Sequence, residues 1–155
     1  MISSSRCQRR VVADVIAVCV HNRSSMLAEH QRGRLGDLDS EYSVSIGERY
    51  IVVGMGIWEN VLHFLVRDDW RMPTFMPAGL FDCPAQSLPE GWGFSLQPGI
   101  AARGRDLWVT PCAALWGYEQ LLADPEHAGL LGERDDAAML VFFQELMARE
   151  AELNE

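Results

Sequence analysis

Short runs of β-branched and aromatic residues, separated by turn residues, dominate the middle of the chain. Residues 42–53 alternate in side-chain size, then become rich in β-branched side chains, with a turn signal at Gly47. Residues 61–67 form a strong strand pattern, which Asp68 and Asp69 close as a polar turn. The pattern therefore predicts antiparallel strands joined by tight turns.

Further short segments continue this pattern toward the C-terminus, at residues 74–76, 79–83, 91–96 and 107–110. Prolines separate them, and because proline cannot donate to a strand ladder, these strands must be short or lie at an edge. Gly54 and Gly56, inside the second strand, predict a bulge or a sharp bend. Such a meander indicates a small bent antiparallel sheet or an SH3-like barrel.

Two C-terminal segments have helical spacing. Residues 113–123 place apolar side chains on one face, and residues 134–153 have Asp135 or Asp136 as N-cap. The second segment carries an apolar stripe of Met139, Leu140, Phe143, Leu146 and Met147. Such a stripe is typical of core packing, and a binding surface is the alternative. The predicted fold class is α+β: the bent sheet or barrel, followed by two C-terminal helices.

The N-terminal part of the chain lacks this texture. Residues 11–20 are apolar with both helical spacing and β-branched content, so the type of element stays open. Asp14 interrupts the run and no small-residue cleavage site follows, which disfavours a secretion signal. We expect residues 1–41 to be an extension or a loosely ordered segment, with Met26 as an alternative start. Residues 42–155 should form a single β-rich domain with C-terminal helices.

Composition and charge narrow the class of function. The chain is 48% hydrophobic and 23% charged, as in ordinary globular proteins, and no apolar run approaches the roughly 20 residues of a membrane-spanning helix. We expect a cytoplasmic protein with no membrane association. Residues 50–155 have six Arg against sixteen acids, a net charge of −10, which argues against a nucleic-acid partner. The acidity fits either a self-repelling, well-solvated surface or steering toward a basic partner.

Residues for catalysis or metal binding do not cluster in the sequence. The cysteines, Cys7, Cys19, Cys83 and Cys112, form no C-x-x-C pair, so we expect reduced thiols and no zinc, and leave a Cys83–Cys112 bridge open. His63 lies in the middle of a predicted strand without a nearby second histidine or carboxylate. The sequence therefore predicts no enzyme, no catalytic residue, no metal and no cofactor. An unfamiliar enzyme centred on His63 or Cys83 is the alternative.

Tryptophans beside acidic turns are the candidate contact residues. Trp58 precedes Glu59 at one predicted turn, and Trp70 follows Asp68 and Asp69 at another. Aromatic side chains are enriched at protein interfaces, and acids around them suit a basic partner. We predict that these five residues bind a protein partner. The alternative is that the tryptophans cap the end of a barrel.

Four segments together resemble a family of bacterial immunity proteins. They are residues 46–52 (I-G-E-R-Y-I-V), the strand with its acidic end at 61–69, P-A-G-L-F-D at 77–82 and L-P-E-G-W-G-F at 88–94. The resemblance covers about residues 42–150. It implies a small protein that binds a cognate bacterial toxin and occludes its active site, with no catalytic residues to carry over. A general adaptor or regulatory β-barrel module is the alternative. The sequence does not determine the oligomeric state.

Overall fold

The computed structural model of the protein describes residues 14–32, 40–58, 60–84, 86–97 and 113–153. Within these ranges the chain forms eight strands and four α-helices. The strands are β1 Val15–Cys19, β2 Arg49–Val52, β3 Gly54–Trp58, β4 Val61–Arg67, β5 Pro73–Pro77, β6 Phe81–Asp82, β7 Gly93–Gln97 and β8 Ala113–Gly117. The helices are α1 Glu29–Arg32, α2 Glu119–Ala123, α3 His127–Gly132 and α4 Asp136–Leu153.

The strands form two antiparallel sheets, ordered β2-β1-β6 and β5-β4-β3-β8-β7. β2 leads into β3 through Val53, and β5 leads into β6 through the short 3-10 turn Ala78–Leu80. β1 pairs with β2 on one side and with β6 on the other, and β4 likewise pairs with β3 and with β5. The pairings therefore close a small barrel, from which β8 and β7 extend one sheet. The predicted α+β class, with a small bent antiparallel sheet followed by helices, is confirmed.

Two apolar clusters hold the layers together. The first fills the barrel with one or two side chains from most of its strands, such as Val52, Phe64 and Met76. The second lies between the opposite face of the larger sheet and the C-terminal helices, where Leu65 contacts the cluster of Leu121 and Phe142. Alternation along β4 explains this division, because successive side chains point to opposite faces of a strand.

A row of glycines allows α2 to lie close to the sheet. Gly54 is the register partner of Gly117, and a Cβ atom at either position would lie within 2.8 Å of the Leu121 side chain. Gly117 also has a φ of +151°, which side-chain-bearing residues rarely adopt. A bulge or bend was predicted at Gly54 and Gly56. The chain passes from one sheet to the other at Val53, next to Gly54, whereas Gly56 pairs in continuous register with His63 and Leu115.

Residues 113–123 differ from the predicted single helix. The first five of them form β8, and only Glu119–Ala123 are helical. β8 is paired on both sides, with β3 and β7, and these ladder hydrogen bonds outweigh the helical propensity of its alanines and leucine. The C-terminal part consequently has three helices, α2, α3 and α4, instead of two. The predicted strand at 107–110 lies outside the described residues.

Helix α4 begins as predicted, but only part of the predicted stripe is packed: Leu146 is buried and Phe143 packs against the same cluster. The Asp135 carboxylate accepts a hydrogen bond from the Ala138 amide at 3.0 Å, which is the N-cap arrangement. The buried positions are Ala138, Phe142 and Leu146. Leu140 and Met147, both predicted to be in the core, are 59% and 66% exposed. Apolar residues surround much of this helix, so their spacing alone does not single out the packed face.

The N-terminal part contributes to the fold from residue 14 onward. Val15–Cys19, whose type the sequence left open, is a strand at the centre of the three-stranded sheet. The sheet thus begins well before residue 42, where the sequence placed the domain boundary. Arg149 of α4 reaches back to the buried Asp14 at 3.9 Å, which ties the last helix to this part of the barrel. In the described ranges, no helix has the length and apolarity needed to cross a bilayer.

Candidate partner-binding site

The turn between β4 and β5 is built around the carboxylate of Asp68. Its Oδ1 accepts hydrogen bonds from the backbone amides of Trp70 and Met72, both at 2.9 Å. Its Oδ2 accepts from the hydroxyls of Ser43 at 2.8 Å and Thr74 at 3.0 Å. Asp68 is only 7% exposed. A buried carboxylate with four donors is well satisfied, so Asp68 holds the shape of the turn and has little exposed surface.

Asp69 connects the same turn to the loop before β2. Its carboxylate accepts hydrogen bonds from the hydroxyls of Ser45 and Tyr50, both at 2.7 Å, and its amide donates to the Ser43 carbonyl at 2.8 Å. Burial, together with this hydrogen bond to Asp69, raises the pKa of Tyr50 to about 12. Tyr50 therefore remains a neutral donor at physiological pH. Residues 42–46, predicted as a strand, instead form the loop that supports the turn.

Trp70 lies at the tip of this supported turn. Its side chain is 76% exposed, the largest exposed fraction among the large apolar side chains of the described residues. Arg71, the next residue, has a φ of +62°, a left-handed conformation that only a well-determined turn imposes on a side-chain-bearing residue. The turn thus combines a rigid backbone with a fully presented indole.

The predicted contact residues do not form one patch. Trp58 ends β3, next to the turn that leads into β4, whereas residues 68–70 follow the other end of β4. Strand β4 has seven residues, so its two ends are about 20 Å apart. The structure brings Asp68, Asp69 and Trp70 together and separates them from Trp58. Glu59 and the side chain of Trp58 lie outside the described residues.

A cleft of about 440 Å³ adjoins the turn. One wall is the turn itself, a second is the loop and start of β2 from Ser45 to Ile51, and a third is the last part of α4. Arg67 of β4 and Glu150 of α4 form an ion pair across it, with 3.2 Å between nitrogen and oxygen. Sequence inspection missed this cleft because its walls come from three separate parts of the chain. The one local signal is the Ser43-Val44-Ser45 run, whose two hydroxyls reach the adjacent carboxylates.

Groups with catalytic or metal-binding chemistry lie elsewhere. Burial lowers the pKa of His63 to about 4, and its Nδ1 lies 2.9 Å from the Val61 carbonyl. Its register partners are Gly56 and Pro77, which carry no ionisable side chain. Burial also raises the pKa of the Cys83 thiol, which disfavours the reactive thiolate. Within the described ranges, no three metal-ligating side chains group together. Cys19 and Cys83 are free thiols, and Cys112 lies outside these ranges.

Tyr118 and His127 form a buried polar pair beneath the helices. The Tyr118 hydroxyl lies 2.6 Å from Nε2 of His127, and the two rings meet edge to face at 5.5 Å. His127 is almost fully buried in α3. Burial lowers the pKa of His127 and raises that of Tyr118, so both groups stay neutral near pH 7. This pair fixes α3 against the end of β8 and opens onto no described cleft.

Comparisons of the chain with protein-family models, with curated proteins and with solved structures find no match.

Proposed function

We propose that this chain is a protein-binding module whose partner contact is centred on Trp70. The observation that carries the proposal is the exposure of this indole on a turn fixed by the buried Asp68. A tryptophan offers a large contact area with two rotatable side-chain bonds, so little entropy is lost when it is covered. Such residues dominate the binding energy of many interfaces. In the isolated chain, the exposed indole of Trp70 contributes little burial energy to the fold.

The form of module that we propose is an immunity protein, which neutralises a cognate bacterial toxin by occluding its active site. A protruding turn with an aromatic tip suits insertion into a concave surface. The net charge of −9 supports attraction to a basic toxin. Four sequence segments with the pattern of immunity proteins, including the turn at Gly47 and the strand β4, support the same proposal.

A general adaptor or regulatory module is the second candidate, and one observation favours it. Among the strands that the structure describes, β7 lies at the edge of the five-stranded sheet, and it exposes Phe94 and Leu96 on one face. An edge strand with apolar side chains can accept an extended peptide as an added strand. In that case binding would depend on β7 and not on the β4–β5 turn.

Co-expression with the product of the neighbouring gene tests the proposal. The tagged protein and its Trp70→Ala variant are compared for capture of that product and for protection of the host cell from it. Leu140→Ala is the matched control, because Leu140 is also an exposed apolar residue but lies on α4. We expect capture and protection with the parent and with Leu140→Ala, and loss of both with Trp70→Ala. Capture that depends on Phe94 and not on Trp70, without protection, would favour the adaptor.

A further inference from the structure

The edge of β1 that faces β6 is only partly paired. Among the described strands, β6 pairs with β1 at Val18 and Cys19 alone. Backbone polar groups along an antiparallel strand point alternately to its two sides. Val20 donates its amide to the carbonyl of Leu80, just before β6, at 2.8 Å, so Ile16 presents its N–H and C=O to the same side. The ladder with β6 ends before it reaches Ile16.

A proline explains why the ladder ends at this point. The register pairs Val18 with Asp82, and continuing it by two residues places Pro84 opposite Ile16. Proline has no backbone N–H, so it offers no donor to the Ile16 carbonyl. In the part of the chain that the structure describes, Ile16 therefore has no strand partner on this side.

The side chain of Gln86 takes the place of the missing strand. Its Oε1 accepts a hydrogen bond from the Ile16 amide at 3.2 Å, and its Nε2 donates to the Ile16 carbonyl at 3.1 Å. Two facing residues of an antiparallel ladder exchange the same pair of bonds. Nε2 also donates to the Pro84 carbonyl at 3.1 Å, so the amide bridges β1 and the chain that leaves β6. Because Gln86 is exposed, water can replace these bonds when the amide leaves the edge.

The sequence of β1 suits pairing with a further strand. Residues 15–20, V-I-A-V-C-V, contain no charge, proline or glycine, and four of the six are β-branched. Segments of this kind pair readily where their edge is open, and proteins usually protect such edges. Ile16 and Val18 lie partly exposed on the face of β1 that points away from the barrel, and Val20 is 38% exposed. Gln86 therefore covers a strand edge that is prone to pairing.

We infer that the edge of β1 at Ile16 is a strand-addition site, which Gln86 blocks in the isolated chain and which takes β1 of a second copy. A strand edge is complementary to itself, because two antiparallel copies related by a two-fold axis exchange backbone bonds in both directions. The net charge of −9 on each copy opposes the contact, so the dimer is weak. This contact uses no residue of the β4–β5 turn and goes beyond the proposed function.

Sedimentation equilibrium of the full-length protein, from about 10 μM to about 1 mM, tests the assignment. We expect the parent to dimerise with a Kd on the order of 1 mM or weaker, and Gln86→Ala to do so about tenfold more tightly, because its edge is no longer occupied. Gln120→Ala is the matched control. Gln120 is also an exposed glutamine, but its side chain donates to the Asp124 carboxylate and not to a strand, so this variant should behave as the parent does.

Hydrogen exchange of the Ile16 amide ties the association to this edge. In Gln86→Ala this amide has lost its acceptor, so it should exchange rapidly in dilute protein. At a protein concentration of about 1 mM the second strand should slow its exchange at least about threefold. Adding Ile16→Lys to Gln86→Ala places a charge on the edge strand, and this double variant should remain a monomer over the whole range.

Three results would overturn the inference. The first is equal association of Gln86→Ala and the parent, and the second is the same tightening in Gln120→Ala. The third is a dimer of Gln86→Ala that persists with Ile16→Lys or leaves the exchange of the Ile16 amide independent of concentration. Capture of the partner by Trp70→Ala is a separate measurement, so the failure of either proposal leaves the other standing.

Discussion

The buried carboxylate of Asp68 accepts a hydrogen bond from the backbone amide of Trp70 at 2.9 Å, which places a nearly inaccessible charge directly beneath an exposed indole. Asp68 also bonds the amide of Met72, two residues beyond the indole. The sequence grouped Asp68 and Trp70 as equal contact residues. The structure separates their roles: Asp68 shapes the turn, and Trp70 is the group that the turn presents.

Asp68→Asn should destabilise the protein by about 2 to 4 kcal/mol. The substitution removes the charge and puts an NH₂ donor where one oxygen now accepts from buried donors. Urea unfolding at pH 7 measures the loss. Asp69→Asn is the control and should cost less than about 1 kcal/mol, because Asp69 is exposed and water can replace its partners. Equal effects of the two substitutions would contradict the role given to Asp68.

Gly54→Ala should destabilise the fold by about 1 to 3 kcal/mol, because the new Cβ atom would lie 2.7 Å from the Leu121 side chain. Shortening Leu121 to Ala should relieve part of this cost in the double variant, and a double-mutant cycle by thermal unfolding measures the coupling. Gly129→Ala is the control, since no atom lies within 4 Å of its Cβ position. It should be neutral or stabilising. Additive effects at Gly54 and Leu121 would argue against the contact.

Helix α4 offers a matched pair that tests which face is packed. Phe142→Ala should cost about 3 to 5 kcal/mol, because Phe142 is fully buried among the sheet and the helices. Leu140→Ala, two residues earlier on the exposed face, should change stability by less than about 1 kcal/mol. Chemical denaturation of both variants measures the two losses in the free energy of unfolding. A larger loss at Leu140 would restore the apolar stripe that the sequence predicted.

Stability should fall as the pH is lowered below about 6.5. Burial lowers the pKa of His127, although Asp124 opposes the change, and burial lowers the pKa of His63 to about 4. Both histidines are neutral in the folded protein, whereas the unfolded chain takes up protons below 6.5. Their contribution to stability is therefore complete above the unfolded pKa and is lost as the pH falls through the lower folded values.

The variant His127→Gln checks this pH dependence. The free energy of unfolding is measured for the parent and the variant between pH 7 and pH 4. Each histidine contributes a slope of at most about 1.4 kcal/mol per pH unit, so the variant should show a shallower decline than the parent. Parallel profiles would mean that His127 takes up its proton equally in the folded and unfolded states.

Local patterns predicted a substantial part of the fold. The strand β4, its polar turn and the N-cap of α4 each depend on a few consecutive residues, and all are present. β8 was mistaken for a helix because it is a strand through its pairing with β3 and β7. β3 lies more than 50 residues earlier in the chain, and residues 98–112 separate β7 from β8. The packed face of α4 was predicted only in part, at Phe143 and Leu146, because apolar residues occupy both of its faces.

The sequence predicted only the β4–β5 turn of the candidate site. Trp70 and its acidic neighbours stand together in the sequence, so they were identified together. Ser43 and Ser45 lie 25 and 24 residues from the carboxylates that they support, and no local pattern connects them. Trp58 was grouped with Trp70 by composition, whereas strand β4 holds the two turns apart. Long-range contacts of this kind depend on how the strands pair in the barrel. The sequence predicts the fold class but not these pairings.

The most direct test of the central claim is the affinity of the Trp70→Ala variant for the partner captured in co-expression, measured by isothermal titration beside the parent protein. We predict a loss of at least about 2 kcal/mol in binding free energy, roughly a thirtyfold rise in Kd. The free energy of unfolding should stay within about 0.5 kcal/mol of the parent, because the indole is exposed. An unchanged Kd with the fold intact would contradict the claim that Trp70 is the centre of the partner contact.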